Sequence, residues 1–364
     1  MSASVADALK AVLPTEEETL FLRACLCDHE SGREAWTRLL APLSDPLDVL
    51  RGPRSHLRVL GPLLHRALRR RETGPDDGEL LTVLRASSVR EEARERTLRA
   101  VVAEVLRETA APVVLKGIAL ADLAYPRACE RHTHDLDLWG PRDEARPHPS
   151  GTAIVVHRHL FRVPWYREAQ DAMRSRMVDA DVNGVPVRVL APADMLAHVC
   201  VHGFSLGGRH VAHWVPDAWF ALRRVPEAGW DELIATAEAG RLALPLSCTL
   251  GWLSDALGAP VPRPALAALR ESAGRAGPVD RDTALGCAWA GRGRLDMGTR
   301  AGRRRAGLLA RWALLPAPGY LRASRGANTR RGLAIAYLAR PWRYASRRLN
   351  VARGRGAAAK VPPC

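Results

Sequence analysis

The chain has 364 residues, 47% of them hydrophobic and 26% charged, which allows a sizeable core and argues against global disorder. Aromatic residues make up only 5% while Ala, Leu, Val and Arg dominate, a bias toward helices and away from an all-β fold. The formal charge of +15 sits at one end: from Met297 onward there are fifteen Arg and Lys360 with no acid, so the remaining 38 basic residues face 39 acidic ones.

The first residues carry Asp7 and Lys10 and lack the apolar centre of a secretory leader. No run of about 18 apolar residues exists to span a membrane, so no transmembrane segment is expected. Seven cysteines, odd in number, irregularly spaced and without a Cys-x-x-Cys pair, read as reduced thiols. These features together predict a cytoplasmic protein without a cysteine-built zinc site.

In chain order, residues 1–110 read as an N-terminal helical region. Its clearest helix covers 83–109, with Leu98, Val101, Val102, Val105 and Leu106 on one face and Arg90, Glu91, Glu92, Arg94 and Glu95 outside. Loops are expected near 44–53 and 73–78. Residues 111–191 read as a small α/β core. It begins with a β-type run at 112–115, continues with a helix over 118–125 and a strand over 135–139, and has a third strand over 152–157. Asn183-Gly184 between β-formers predicts a hairpin. Residues 192–296 form a helical domain, with helices at 193–204 and 217–224 and breaks at 258–264 and 274–278. Residues 297–364 form a basic helical C-terminal region. The fold class is α+β: a small mixed-sheet core flanked by helices, without internal repeats.

Three pieces of the core suggest chemistry. A strand ends in Leu115-Lys116-Gly117 and enters a helix, where Gly lets the backbone approach a phosphate and the helix start offers free N–H groups. Asp135 and Asp137 alternate on a strand, so both carboxylates share a face and could bind Mg²⁺ through oxygen. Arg131 lies four residues before Asp135, where its cation could meet a phosphate or orient a carboxylate. Each piece also has an ordinary reading: solvated acids on an edge strand, a surface lysine, a plain ion-pair partner.

The run VVLKGIALADLAYPRACERHTHDLDLWGP resembles the uncharacterised nucleotidyltransferase family of the DNA-polymerase-β-like superfamily. Leu115, Lys116, Gly117, Tyr125, Arg131, Asp135 and Asp137 carry the likeness. Asp194 and His202 in VRVLAPADMLAHVCVHGF and Asp217 in HWVPDAWFAL extend it, and the basic C-terminal part follows, so that it spans 112–349. The resemblance implies a nucleotidyltransferase core and Mg²⁺-dependent transfer of a nucleoside monophosphate from a nucleoside triphosphate to an unknown hydroxyl acceptor. Asp135 and Asp137 would be the catalytic metal ligands. Lys116, Gly117 and Arg131 would hold the triphosphate.

Two departures favour an alternative, a degenerate nucleotidyltransferase fold that binds a nucleotide, RNA or a protein partner without turnover. Val155 stands where the family carries an acid, two residues before the His of IVVHRHL. The connection from Trp139 to Ala153 is also short for the family's usual helix and strand; Asp179 or Asp181 could substitute sterically but is not the expected ligand. His198 and His202 are four apart on a helix, but Val199 occupies the place of a metalloprotease glutamate, so packing is the expected role. Alternation would turn His134 away from Asp135, and His210 and His213 have no evident partners. Ser205 lies in a formal Gly-x-Ser-x-Gly match that follows a helix rather than a strand, which argues against a serine hydrolase. In the tail, Arg303, Arg304, Arg305, Trp312, Tyr320, Trp342 and Tyr344 mix cations with aromatics, which implies polyanion contact through the basic C-terminal region. The preferred reading there is a helical domain whose Arg stems pack over apolar surface with their heads solvated, because the family likeness reaches into this region.

Overall fold

Helices are laid down on both sides of a short stretch of strands. The computed structural model describes residues 3–71, 78–208, 210–291, 295 and 297–340. The helix expected over 83–109 runs from Gly78–Glu108, and all five residues assigned to its apolar face are buried. Arg90 and Glu91–Glu92 remain on its wetter side. The loop expected near 44–53 is wound into 3₁₀ turns, Pro46–Leu50 and Gly52–Leu60. The one near 73–78 lies mostly outside the described residues, with Gly78 opening the helix.

The strands are β1 (Val113–Val114), β2 (Asp135–Trp139), β3 (Glu144–Pro147), β4 (Ala153–His157), β5 (Val178–Val182) and β6 (Val185–Val189). They form one mixed sheet in the order β3-β4-β2-β1-β6-β5, so the fold is α+β with helical flanks. β2 runs parallel to β4 and antiparallel to β1, and β1 runs parallel to β6. β1 is only two residues long, yet its pairing extends at both ends. Leu115 N–H donates to Asp137 O at 3.0 Å, and Arg188 N–H donates to Pro112 O at 2.9 Å.

β3 was not expected. Its four residues, Glu-Ala-Arg-Pro, are all exposed, so they show no apolar alternation, and the Pro suits an edge strand that needs no outer partner. The connection between β2 and β4 therefore keeps a strand and lacks only the helix. The β5–β6 hairpin closes as its sequence predicts: Asn183 (φ 58°) and Gly184 (φ 74°) both take the left-handed conformation that a type I′ turn requires. Asp122 anchors this turn by accepting from Asn183 N–H at 3.0 Å and from Arg99 at 2.7 Å.

The helix after β1 spans Lys116–Leu123 and packs against β2 and β5. It starts two residues earlier than expected, so Lys116 and Gly117 lie within its first turn. The Pro192–Ser205 helix is buried almost all round by the Val211–Leu222, Gly229–Ala239 and Ala243–Leu257 helices, as an apolar sequence of this kind demands. It ends at Gly207 and Gly208, both with positive φ; a Cβ on Gly208 would stand 2.0 Å from the backbone oxygen of Val12. These glycines let two chain segments touch. Ser205 is buried beside them at a helix end, with none of the exposure a nucleophile elbow needs.

In the C-terminal region the Arg300–Leu314 helix packs on Ala3–Leu9 and Pro278–Gly291. Leu309, Trp312, Tyr320 and Leu321 are buried, and the guanidinium of Arg340 lies 4.9 Å over the Trp312 ring. One arginine, Arg340, thus covers an aromatic ring, while Trp342 and Tyr344 lie outside the described residues. No helix among the described residues is long and apolar enough to cross a membrane.

Candidate functional site

A pocket of about 370 Å³ opens where β2, β4 and the start of the Lys116–Leu123 helix meet the Pro192–Ser205 and Val211–Leu222 helices. Lys116, Arg131, Asp135, Asp137, Val155, His157, His202 and Asp217 all line it. Period-2 alternation puts Asp135 and Asp137 of β2 on the pocket face, and the parallel register places Val155 of β4 directly beside Asp137. His157, two residues on, shares that face.

Asp137 is buried and held from two sides. Its Oδ1 lies 2.6 Å from His157 Nε2 and its Oδ2 lies 3.2 Å from Lys116 Nζ. Burial alone would raise its carboxyl pKa, but the His157 hydrogen bond and the Lys116 charge outweigh that and hold it well below the usual range. Lys116 also lies 3.4 Å from His202 Nε2, so the lysine and the histidine that the resemblance picked out separately meet at one point. Asp135 is more open, and His134 Nε2 lies 3.6 Å from its Oδ2. The expectation that His134 faces away fails because residue 134 precedes β2 and is not bound by its alternation.

Gly117 is buried just inside the helix start and does not itself line the pocket. A Cβ there would meet Arg131 Nη1 at 3.6 Å, Thr133 Cγ2 at 3.8 Å and Asp135 O at 3.9 Å, all ordinary contacts. Packing therefore does not require glycine at 117. The helix N-cap, Leu115, supplies no side-chain acceptor, so the first-turn N–H groups are not capped from there.

Arg131 is committed to a buried ion pair. Its Nε and Nη2 donate in parallel to Asp217 Oδ1 and Oδ2, each at 2.8 Å, and its Nη1 donates to Thr133 Oγ1 at 2.8 Å. Tyr125 O–H donates to the same Asp217 at 2.7 Å. Tyr125, Arg131 and Asp217, noted singly in the sequence, thus form one cluster, with Arg131 and Asp217 lining the pocket and Tyr125 bonded to Asp217. The guanidinium charge is already matched there, so its pull on a phosphate is weaker than its position suggests. Asp194, by contrast, is tied to Arg176 at 2.7 Å and is structural. Asp179 and Asp181 lie on β5, beyond β1 and β6 from β2, and cannot stand in for an acid at 155.

Sequence spacing missed the gathering of histidines. Eight of the chain's twelve line this pocket (residues 132, 134, 157, 159, 198, 202, 210 and 213), so rings that looked isolated share one polar wall. His213, for example, has its ring centroid 6.2 Å from that of His132 and 6.1 Å from that of His210. Burial, with Lys116 for His198 and Arg131 for His213, pushes these two imidazoles down to about 3. His202 is lowered as well, again first by burial and then by Lys116. Such rings stay neutral in the folded chain but take up protons once unfolded, below their ordinary value of 6.5. The unfolded state then binds more protons, so stability falls with pH from there toward 3. The thermal midpoint should accordingly drop steadily between about pH 6.5 and pH 5, and a His198→Gln variant should flatten the drop. A profile unchanged across that window would mean these rings protonate without unfolding.

Among the described residues no group of three or more His, Cys, Asp or Glu is arranged to hold a metal ion. What the site offers is a pair of carboxylates, Asp135 and Asp137, at the edge of an open pocket. Oxygen donors of this kind could hold a hard cation, but Lys116 and His157 already engage both oxygens of Asp137. Residues 143–258 match the family model described as uncharacterised nucleotidyltransferase, the family that the run ending at Pro141 resembles. The matched stretch supplies Val155, His157, His202 and Asp217 to the pocket, and Lys116, Asp135 and Asp137 precede it. No curated protein and no solved structure matches the chain.

Proposed function

We propose that the protein is a metal-dependent nucleotidyltransferase that moves a nucleoside monophosphate from a nucleoside triphosphate to a hydroxyl acceptor. The observation that carries this is the convergence, on one pocket, of Asp135, Asp137 and Lys116 with a wall built from the stretch that matches the nucleotidyltransferase family. In this reading Asp135 and Asp137 hold Mg²⁺, which when bound would neutralise charge on the triphosphate and acidify the acceptor hydroxyl. Lys116 draws the triphosphate toward the helix start. The amides around Gly117 hold its oxygens. The acceptor oxygen bonds to the α-phosphorus, the bond to the bridging oxygen breaks, pyrophosphate leaves, and the acceptor's proton passes to water. The histidine wall keeps hydrogen-bonding groups near the departing anion.

One observation favours a binding module without turnover. Val155 faces Asp137 where a third carboxylate would sit, and both oxygens of Asp137 are already engaged, one by Lys116 and one by His157. Mg²⁺ with a nucleoside triphosphate should raise the melting temperature under either reading, because a ligand bound only by the folded state stabilises it. EDTA, or Asp135→Asn combined with Asp137→Asn, should remove most of that rise. Gly117→Ala should leave the ligand-free melting point nearly unchanged, since the added methyl finds only ordinary contacts, while weakening the nucleotide response. A full response in the folded double Asn variant would place the nucleotide elsewhere.

A further inference from the structure

The C-terminal region shows a surface that the pocket chemistry does not use. Between Met297 and Arg340 there are ten arginines and no acid. Five of the eight large hydrophobic side chains left exposed among the described residues also fall there: Met297, Leu314, Leu315, Ile335 and Leu338. Leu315 and Leu338 are 68% and 80% exposed, beyond what a side chain sheltering in a fold would show. Residues 330–340 are helical, and Tyr337 O–H donates to Pro316 O at 2.6 Å, which draws this helix alongside Leu314-Leu315. Arg340 donates to Ala313 O, a second tie at the same place. Leu333, Ala336 and Tyr337 pack toward the core, whereas Arg331, Ile335 and Leu338, spaced i, i+4, i+7, form a stripe facing out. Arg311, Arg322, Arg325 and Arg330 are exposed nearby in the chain.

We propose that this face docks on an anionic membrane surface, with Leu315, Ile335 and Leu338 entering the headgroup–acyl boundary and the arginines pairing with lipid phosphates. Charge complementarity selects an anionic partner. The form of the apolar groups selects lipid over nucleic acid. A single-stranded nucleic acid is held by exposed aromatic rings, and among the described residues of this region Trp312 and Tyr320 are only 6% and 5% exposed, while Tyr337 is half-buried with its hydroxyl on Pro316 O. What is exposed instead is branched aliphatic surface beside cations, the pattern of a helix lying in a membrane interface.

The test uses the full chain with three probes: vesicles of phosphatidylcholine containing one third phosphatidylserine, vesicles of phosphatidylcholine alone, and a single-stranded homopolymeric RNA. Co-sedimentation should show retention on the mixed vesicles, little on the neutral ones, and weakening as salt rises. Leu315→Ser with Leu338→Ser, which removes solvated side chains and leaves the core alone, should lower that retention about fivefold or more at unchanged melting temperature. Absence of retention on the mixed vesicles would overturn the proposal. So would equal retention by the double variant, which would leave charge alone as the cause. Tighter binding to RNA than to the mixed vesicles would overturn it in favour of a nucleic-acid surface.

Discussion

Replacing Asp217 by alanine should cost the protein about 3–5 kcal/mol of stability, the usual effect of removing one partner of a buried ion pair. The side chains of Arg131 and Asp217 are only 9% and 4% exposed, so water cannot take the place of the lost carboxylate. Burial by itself disfavours the guanidinium's charge. The field and hydrogen bonds of Asp217 more than reverse this and raise its pKa above the ordinary arginine value. Without Asp217, the two donors at 2.8 Å and the Tyr125 hydroxyl at 2.7 Å all lose their acceptor. Asp217→Asn keeps one acceptor oxygen and should be milder. Replacing both partners, with Arg131→Met and Asp217→Leu, should recover much of the alanine loss, because no uncompensated charge then remains. Denaturant unfolding of the four proteins checks this, and a loss below about 1 kcal/mol for Asp217→Ala would mean that the pair is solvated in solution. The site would feel the damage too, since Arg131 also holds Thr133 beside the entry to β2 and lies against Gly117.

The elements most legible in the sequence are those whose pattern is set locally. The long helix before β1 announced itself through its apolar stripe, the β5–β6 turn through Asn183-Gly184, and β2 through its alternation ended by Gly140-Pro141. β3 was illegible because an exposed edge strand carries no burial pattern. The site was legible as residue types and illegible as partners. Lys116 and His202 are 86 positions apart, as are Arg131 and Asp217, and nothing in composition or spacing states that either pair meets. The resemblance named these residues, and the sheet order brings them together. It also settles that Asp179 and Asp181 are remote, because β5 forms the opposite edge of the sheet from β4 and β3. The histidine wall could have been suspected only from the density of His between 132 and 213, where eight pocket-lining rings and His148 occur.

Introducing an acid at position 155 should strengthen Mg²⁺ binding by roughly tenfold or more, because affinity for a hard cation rises with the number of charged oxygen ligands. Val155 is Cα-paired with Asp137 in the parallel β2–β4 ladder, and both side chains reach the same pocket. In the native chain Asp137 offers little net charge to a cation, because Lys116 at 3.2 Å and His157 at 2.6 Å already satisfy its two oxygens. That leaves Asp135, more exposed and with only His134 Nε2 at 3.6 Å from its Oδ2, as the more available acid. Aspartate or glutamate at 155 would restore a surplus of negative charge where the phosphates must also come. The metal-free variant should be less stable than the native protein, since the new carboxylate is partly buried and close to Asp137. Mg²⁺ should then raise its melting temperature more than it raises that of the native protein, a readout independent of any acceptor. Pyrophosphate release from a nucleoside triphosphate, assayed with a pool of hydroxyl acceptors, should rise in Val155→Asp or Val155→Glu and not in Val155→Thr, which keeps the shape without the charge. Rapid native turnover that both acidic variants lower would show that Asp135 and Asp137 suffice, and that Val155 belongs to a working site. Stronger Mg²⁺ binding without any turnover in either variant would instead favour the binding module. The limit would then lie beyond the metal ligands, in the histidine wall or in the short connection that follows β2.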